Sequence, residues 1–268
     1  MIGGGMSHRM MWGRKDGCPL PQNYEGLRAW WDSSDSDTLF DAVSGGGIVT
    51  DNNDPVARWE DKSGNGYHLT QSTASRQPLL KTNARNGRNS LYFDGSNDQM
   101  VRTAADIASG VEECYVISVV QDDSALTSSS RRGVLGFLGA QFRTLMYSQF
   151  DSLSWRCGGR RTSASSFFSD SFGTKNNDWN VFRYRQRYIA NDAIISLNSV
   201  SPNSIHLYGG SGLSGIENVT ITIGNASPSS SANFGGHIAE IMIIESDVSG
   251  EFLRCTFEYL TRKWAITP

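Results

Sequence analysis

Apolar and polar residues alternate along much of this chain with a period of two, in short runs. In "VTITIG" Val219, Ile221 and Ile223 fall on one side and Thr220 and Thr222 on the other, the pattern of a strand with one face on a core. "NSLYFDG", "CYVISVVQ", "GVLGFLG", "NVFRYRQRYI", "DAIISLNSV", "SIHLYGG" and "GGHIAEIMIIES" are further short β-like runs, several of them alternating, separated by clusters of Gly, Ser, Asn and Asp. Many short strands punctuated in this way predict an antiparallel sandwich or barrel. No βαβ rhythm and no internal repeat interrupts the series, which argues against parallel α/β folds, solenoids and propellers.

One segment has a different period. In "SGEFLRCTFEYLTRKWAI" Leu253, Phe257, Leu260 and Trp264 recur at helical spacing, Ser249 can cap the first turn, and Glu251 sits where the helix dipole favours an acid. This helix is predicted to lay its apolar stripe on the sandwich and close it. Residues 1–23 show neither period and are predicted to form an arm, with the sandwich spanning residues 24–268. Met10, Met11 and Trp12 are the arm's candidate docking residues, either on the domain or on a neighbouring subunit.

Composition supports a folded, turn-rich protein: 38% of the 268 residues are hydrophobic and 28 are glycine. Cys18, Cys114, Cys157 and Cys255 lie far apart without a C-x-x-C pair, so buried free thiols are expected, with one bridge left open. The first residues lack the apolar run of a secretory signal, and no stretch is long and apolar enough for membrane insertion. A chain made and kept in a cytoplasm is the expectation.

The net charge of −3 is unevenly spread. Between Arg131 and Arg187 ten basic residues face three acidic ones, so this segment is strongly basic and the rest of the chain acidic. Within it, "NVFRYRQRYI" read as a strand puts Arg183, Arg185 and Arg187 on one face and Phe182, Tyr184 and Tyr188 on the other. Three guanidinium groups cannot lie unpaired in a core, so that face is expected to be solvated, ion-paired or turned to a partner. Arg forks suit carboxylates and phosphates, whether on an acidic glycan or on another subunit. Arg160 and Arg161 join them as binding candidates, and Trp155 as an aromatic platform for a sugar.

"WEDKSGNGYHLTQ" gathers reactive residue types. The plainer reading is a turn: Trp59 anchors a strand end, Gly64 and Gly66 allow positive φ, and "YHLTQ" starts the next strand. Asp61 and Asn65 here, with Asp94 and Asp98 further on, could supply oxygens to a calcium ion, although Asp and Asn beside Gly more often tie their own backbone into turns.

"LRAWWDSSD", "VARWEDKSGNGYHLTQSTASRQPLL", "NGRNSLYFDGSNDQM" and the ending "FGGHIAEIMIIESDVSGEFLRCTFEYLTRKWAI" resemble the laminin-G-like branch of the concanavalin A-like lectin/glucanase superfamily, over about residues 27–266. The resemblance implies an all-β jelly-roll sandwich of two antiparallel sheets, with the helix at its C-terminal end. Such domains mainly bind glycans or proteins and often carry calcium at the sheet rim. Residues 122–180 match nothing sharply.

Glucanases of this superfamily carry carboxylates at alternating strand positions, because a retaining mechanism needs two carboxyls about 5 Å apart on one face. In "HIAEIMIIE" Glu240 shares its face with Met242 and Ile244, and Glu245 falls on the other face, so no such pair is expected. Glu240 is expected to hold a neighbouring loop. The four histidines have neither metal-ligand nor triad spacing.

The resemblance, the absent signal and the arm together imply a non-catalytic virion structural protein of a tailed phage, in capsid decoration or tail, assembled in the host cytoplasm. Its lectin-like sandwich would attach to host-surface glycan or brace subunits. Expected partners are other virion subunits, including copies of itself in a homo-oligomer, and a glycan. Nucleic acid is not expected, because the chain is acidic overall and carries no nucleic-acid motif. No cofactor is required by this reading. The alternative is a carbohydrate-binding module or glycan-active enzyme of a bacterial surface protein.

Overall fold

Each alternating run becomes a strand, because extended backbone puts its apolar positions on one side, where a second sheet can cover them. The structure, a computed structural model, describes residues 18–107, 113–123, 131–138, 143–149, 154–160, 168–174, 177–187, 192–201, 204–207, 219–225, 233–245 and 250–267. In chain order the strands are Leu27–Asp32 (β1), Leu39–Phe40 (β2), Arg58–Trp59 (β3), Leu69–Thr70 (β4), Leu79–Arg85 (β5) and Arg88–Asp94 (β6). Met100–Ala105 (β7), Glu113–Asp122 (β8), Arg131–Leu138 (β9), Arg143–Gln149 (β10), Ser154–Arg160 (β11) and Phe168–Thr174 (β12) follow. The last are Trp179–Arg187 (β13), Asp192–Leu197 (β14), Ser204–Leu207 (β15), Val219–Ile223 (β16) and Gly235–Glu245 (β17), before the helix Gly250–Trp264 (α1).

These strands form two antiparallel sheets. One runs β15-β14-β13-β8-β17-β6-β5, with β1 added alongside β17; the other runs β12-β11-β10-β9-β16-β7-β4-β3-β2. Trp31, Trp59, Trp155, Phe93, Phe137, Phe182, Ile221 and Ile223 pack between them as one apolar cluster. The molecule is thus an antiparallel sandwich, one of the two outcomes that alternation left open, and the two-sheet jelly roll that the resemblance implied. One detail departs from simple alternation. Thr222, on the polar side of β16, is buried and donates its hydroxyl to the carbonyls of Gly136 and Asn225. Strands β10 to β12 come from the stretch that the resemblance does not cover sharply, and each pairs antiparallel with its neighbours.

The helix lies on the outer face of the first sheet, over a second apolar cluster that includes Tyr115, Ile117, Trp179, Val181, Met242 and Ile244. Leu260 and Trp264 are buried there, Leu253 and Phe257 are partly buried, and the Trp264 indole stacks on Trp179 at 6.0 Å. Ser249 lies outside the described residues. The last carbonyls of a helix lack intrahelical partners, and the β5–β6 hairpin supplies them. Arg85 Nε donates to Trp264 O at 3.0 Å, and Arg88 Nε and Asn86 Nδ2 donate to Lys263 O at 3.0 and 2.9 Å.

A disulfide between Cys18 and Cys255 ties the start of the described chain to the helix. This corrects the expectation of free thiols: the two cysteines are remote in sequence but stand 5.4 Å apart at Cα, a separation that spacing along a chain does not disclose. Cys114 remains a free, buried thiol, and burial pushes its pKa up to about 12. The side chain of Cys157 lies outside the described residues.

Candidate ligand-binding site at the edge of the helix

The loop after Trp59 is built around one carboxylate. Asp61 accepts from the backbone N–H of Trp30, Ser63 and Tyr67 at 2.9, 2.9 and 3.0 Å and from the Ser63 hydroxyl at 2.8 Å. Asn65 donates its side-chain amide to the carbonyls of Leu27 and Arg28. Gly64 and Gly66 turn the chain at φ of 90° and 75°, the left-handed region where a Cβ is unfavourable. The loop is therefore clipped to β1 by its own polar groups, and it delivers Lys62 to the helix.

Lys62 joins a network of buried charges. Its Nζ lies 2.9 Å from Asp32 Oδ2 and 2.7 Å from Asp35 Oδ2. Lys263, from the last turn of the helix, bridges Asp32 at 2.7 Å and Glu240 at 2.8 Å. Glu240 also accepts from the indoles of Trp30 and Trp264, both at 2.8 Å, and from the Tyr259 hydroxyl at 3.1 Å. Four donors thus converge on two oxygens, as many as an ionised carboxylate readily accepts. A bulge between Ile238 and Glu240 sets the register of β17 here. Burial opposes the charge on Asp32, but Lys263 and Lys62 hold its carboxyl below the ordinary range. Burial and the neighbouring Asp32 push Glu240 the other way, against Lys263 and Trp264. Glu240 does hold a neighbour, and that neighbour is the helix.

At the other edge of the helix the chemistry changes. The outward positions of β13 are Trp179, Val181, Arg183, Arg185 and Arg187. Trp179 and Val181 belong to the apolar cluster beneath the helix, while Phe182 and Tyr184 face the inter-sheet core, as alternation predicted. The arginines begin where the helix cover ends. Arg183 and Arg185, with Tyr115, Ile194, Val200 and Leu253, line an open cavity of about 210 Å³.

The expected open ladder is graded in burial. Arg183 is only 8% exposed, because Leu253 and Phe257 of the helix and Ser199–Val200 close around it. Of the three readings left open for this face (solvated, ion-paired or turned to a partner), the burial of Arg183 removes the first at that position, since sequence alternation cannot show where a helix from elsewhere in the chain comes to rest. Arg185 is half-buried, 3.8 Å from Glu113, 3.4 Å from the Tyr115 hydroxyl, and its guanidinium carbon is 5.8 Å from the Tyr115 ring centroid. Arg187, also half-buried, stands opposite Glu113 and Asp192 in the strand register. Burial holds the Arg183 guanidinium below its ordinary pKa; Tyr115 opposes it, and Arg185 adds a smaller effect in the direction of burial.

The remaining candidates separate. Trp155 is fully buried, 4.4 Å from Phe182, and has no surface to offer a sugar; its alternating position on β11 points inward. The side chain of Arg160 and all of Arg161, Met10, Met11 and Trp12 lie outside the described residues. Of the calcium candidates, Asp94 accepts backbone N–H groups from Ser96, Asn97 and Asp98, and Asp98 accepts from Asp94 N. These carboxylates and that of Asp61 serve as turn hubs, and among the described residues no three His, Cys, Asp or Glu side chains converge as a metal site. Burial pushes the Asp98 carboxyl up to about 7, against the hydrogen bond from the Asp94 backbone and with a smaller upward effect of the Asp94 charge. Tyr115, Ser196, Val200 and Leu253 were not singled out by sequence. Tyr115 and Ser196 were reachable through strand register; Val200 and Leu253 were not.

No protein-family model and no curated protein sequence matches the chain. Solved structures match it in fold. An arabinofuranosidase in complex with arabinofuranosyl-alpha-1,2-xylobiose matches over 89% of this chain and 63% of its own, with a TM-score of 0.62 at 13% identity. Domain 4 of AbnA, a GH43 extracellular arabinanase from Geobacillus stearothermophilus, in complex with arabinotriose, matches over 85% of this chain and 96% of its own, with a TM-score of 0.58 at 9% identity. Trypanosoma rangeli sialidase matches over 93% of this chain but only 35% of its own, with a TM-score of 0.59 at 11% identity. At such identities the likeness is one of fold, the class of β-sandwich that these proteins contain.

Proposed function

We propose that this chain is a non-catalytic, lectin-like glycan-binding module whose ligand sits in the cavity at the helix edge. The observation that carries the reading is the lining of that cavity: an aromatic ring, two guanidinium groups and three aliphatic side chains. Sugar sites combine such groups, with apolar faces for C–H surfaces and planar polar groups for hydroxyls and carboxylates. The fold likeness adds support, since the AbnA domain was solved with arabinotriose and the match spans nearly all of that domain.

The non-catalytic part of the proposal rests on Asp32 and Glu240. They face each other in the register of β1 and β17, but Lys263 stands between them and the oxygens of Glu240 are taken up beneath the helix. A retaining hydrolase needs one carboxylate free to attack and one to protonate the leaving group. The virion setting expected from sequence is not needed by this reading.

A glycan array probed with the full chain, followed by calorimetric titration, tests the proposal. Saturable binding without release of reducing sugar is the expected result. Val200→Trp, which fills the cavity mouth from a position 44% exposed, is expected to remove the binding and leave the fold intact. Turnover of any bound glycan that Glu240→Gln abolishes would overturn the proposal.

A further inference from the structure

Arg183 is a buried cation that meets no counter-charge among the described residues. Among the described residues it forms no ion pair, and its Nε has no hydrogen-bond partner. Two more polar atoms beside it share that condition. Arg185 Nε is buried and unpartnered, and so is the hydroxyl of Ser196, which stands directly opposite Arg183 in the β13–β14 register. An unpaired buried charge is costly, by several kcal/mol in typical cases, and native proteins retain one where something else meets it. Here the three atoms lie on one sheet face, and Arg183 and Arg185 border the open cavity.

We infer, building on the proposed glycan-binding function, that Arg183 and Arg185 form a subsite for the carboxylate of an acidic sugar. Charge favours a carboxylate over a phosphate. Arg185 is already partly met by Glu113 at 3.8 Å, so the cavity has about one positive charge to spare, and a monoanion balances it. A dianion would place surplus negative charge beside Glu113. Arg183 and Arg185, two residues apart on one strand face, stand about 6.5–7 Å apart along the backbone, a spacing that lets both forks reach the oxygens of one planar group. Ile194, Val200 and Leu253 provide apolar walls. The volume of about 210 Å³ is below the roughly 300–1,000 Å³ of drug-sized pockets and suits a single sugar ring.

Titration of the full chain with D-glucuronate, D-glucose and inorganic phosphate, followed on the arginine Nε–H resonances, tests this inference. The expected result is a saturable shift of Arg183 and Arg185 with glucuronate, none with glucose, and a weaker one with phosphate. Arg183→Met is expected to weaken glucuronate binding by about tenfold or more, since a charge-assisted, bidentate contact is lost. Arg183→Lys is expected to recover part of the binding, because an ammonium replaces the charge but not the fork. Neutral glycans binding on the array with no glucuronate shift would sink the carboxylate subsite and leave the glycan-binding proposal standing. A glucuronate shift with no glycan bound on the array would do the reverse. An equal or stronger shift with phosphate would overturn the assignment of ligand class.

Discussion

Lys263 and Arg183 are both cations buried at the border of one helix, yet their surroundings are opposite. Lys263 touches two carboxylates, at 2.7 and 2.8 Å, and the carboxylates themselves are met by indoles, a phenol and a second lysine. Arg183 forms no ion pair among the described residues, and its Nε has no hydrogen-bond partner. Burial costs both charges their hydration; only at Lys263 do neighbours return it. The contrast separates two uses of buried charge in one fold. A closed network fixes where the helix sits, whereas an open one keeps interaction capacity for something that is not part of the chain.

Removing the hub of the closed network gives the largest expected effect. Lys263→Met strands Asp32 and Glu240 as facing carboxylates and is expected to cost about 3–5 kcal/mol of stability, measured by urea unfolding. A loss under about 1 kcal/mol would mean that the indoles and Lys62 suffice, and the contrast with Arg183 would fail. Next comes the covalent tie. Cys18→Ser is expected to cost about 2–4 kcal/mol, because the bridge closes a loop of 237 residues in the unfolded chain. An equal unfolding midpoint with and without reductant would show that the ionic network alone holds the helix.

Arg183→Met is the counterpart of Lys263→Met and is expected to act with the opposite sign. Replacing an unpartnered buried charge by an apolar side chain of similar length leaves stability unchanged or raises it by about 1 kcal/mol. A loss as large as that for Lys263→Met would place a hidden partner on Arg183 and remove the basis of the carboxylate subsite.

The smallest effect is a change in slope with pH, near the end of β17 that lies away from both cations. Burial, helped by Lys81, lowers the His237 imidazole to about 4, with Ser90 Oγ 2.8 Å from its Nδ1. A base with a depressed folded pKa contributes stability above its unfolded value, about 6.5, that is lost as pH falls toward 4. Asp98, raised to about 7, has the opposite sign: it favours folding when protonated and loses that contribution as pH rises from about 4 to 7. The two oppose each other over that window. His237→Asn is therefore expected to make stability fall with rising pH between about 4 and 7, and Asp98→Asn to make it rise. Thermal unfolding across pH 4–8 reads both, and parallel profiles for the two variants would refute the assignment.

Much of the architecture was legible because alternation carries direct physical content. Period two in "VTITIG" and period 3.6 in the last helix each require one covered face, and they name the residues on it; "GGHIAEIMIIES" is apolar on both faces, and both are covered. The same rule placed Phe182 and Tyr184 inward and grouped the arginines on the other face of β13. It was weakest over β10 and β12, whose sequences "RTLMYSQ" and "FSDSFGT" present no face that is apolar throughout, whereas "SWRCGGR" of β11 does set Trp155 and Cys157 against Ser154 and Arg156. Trp155 illustrates the limit at a single residue, since an aromatic side chain suits a core and a sugar equally well and only packing tells which.

By itself the sequence determined the antiparallel all-β class, the terminal helix, the faces of strands such as β13 and β16 and the turn role of the Asp61 loop. All of these follow from local spacing, because neighbours along a strand or helix have fixed directions. The tertiary structure alone decided which of the outward arginines is covered, that Lys263 reaches Asp32 and Glu240, and that Cys18 meets Cys255. Those facts depend on where the helix comes to rest on residues remote from it in the chain, as far as the 237 residues between Cys18 and Cys255. Spacing along the chain carries no record of that meeting.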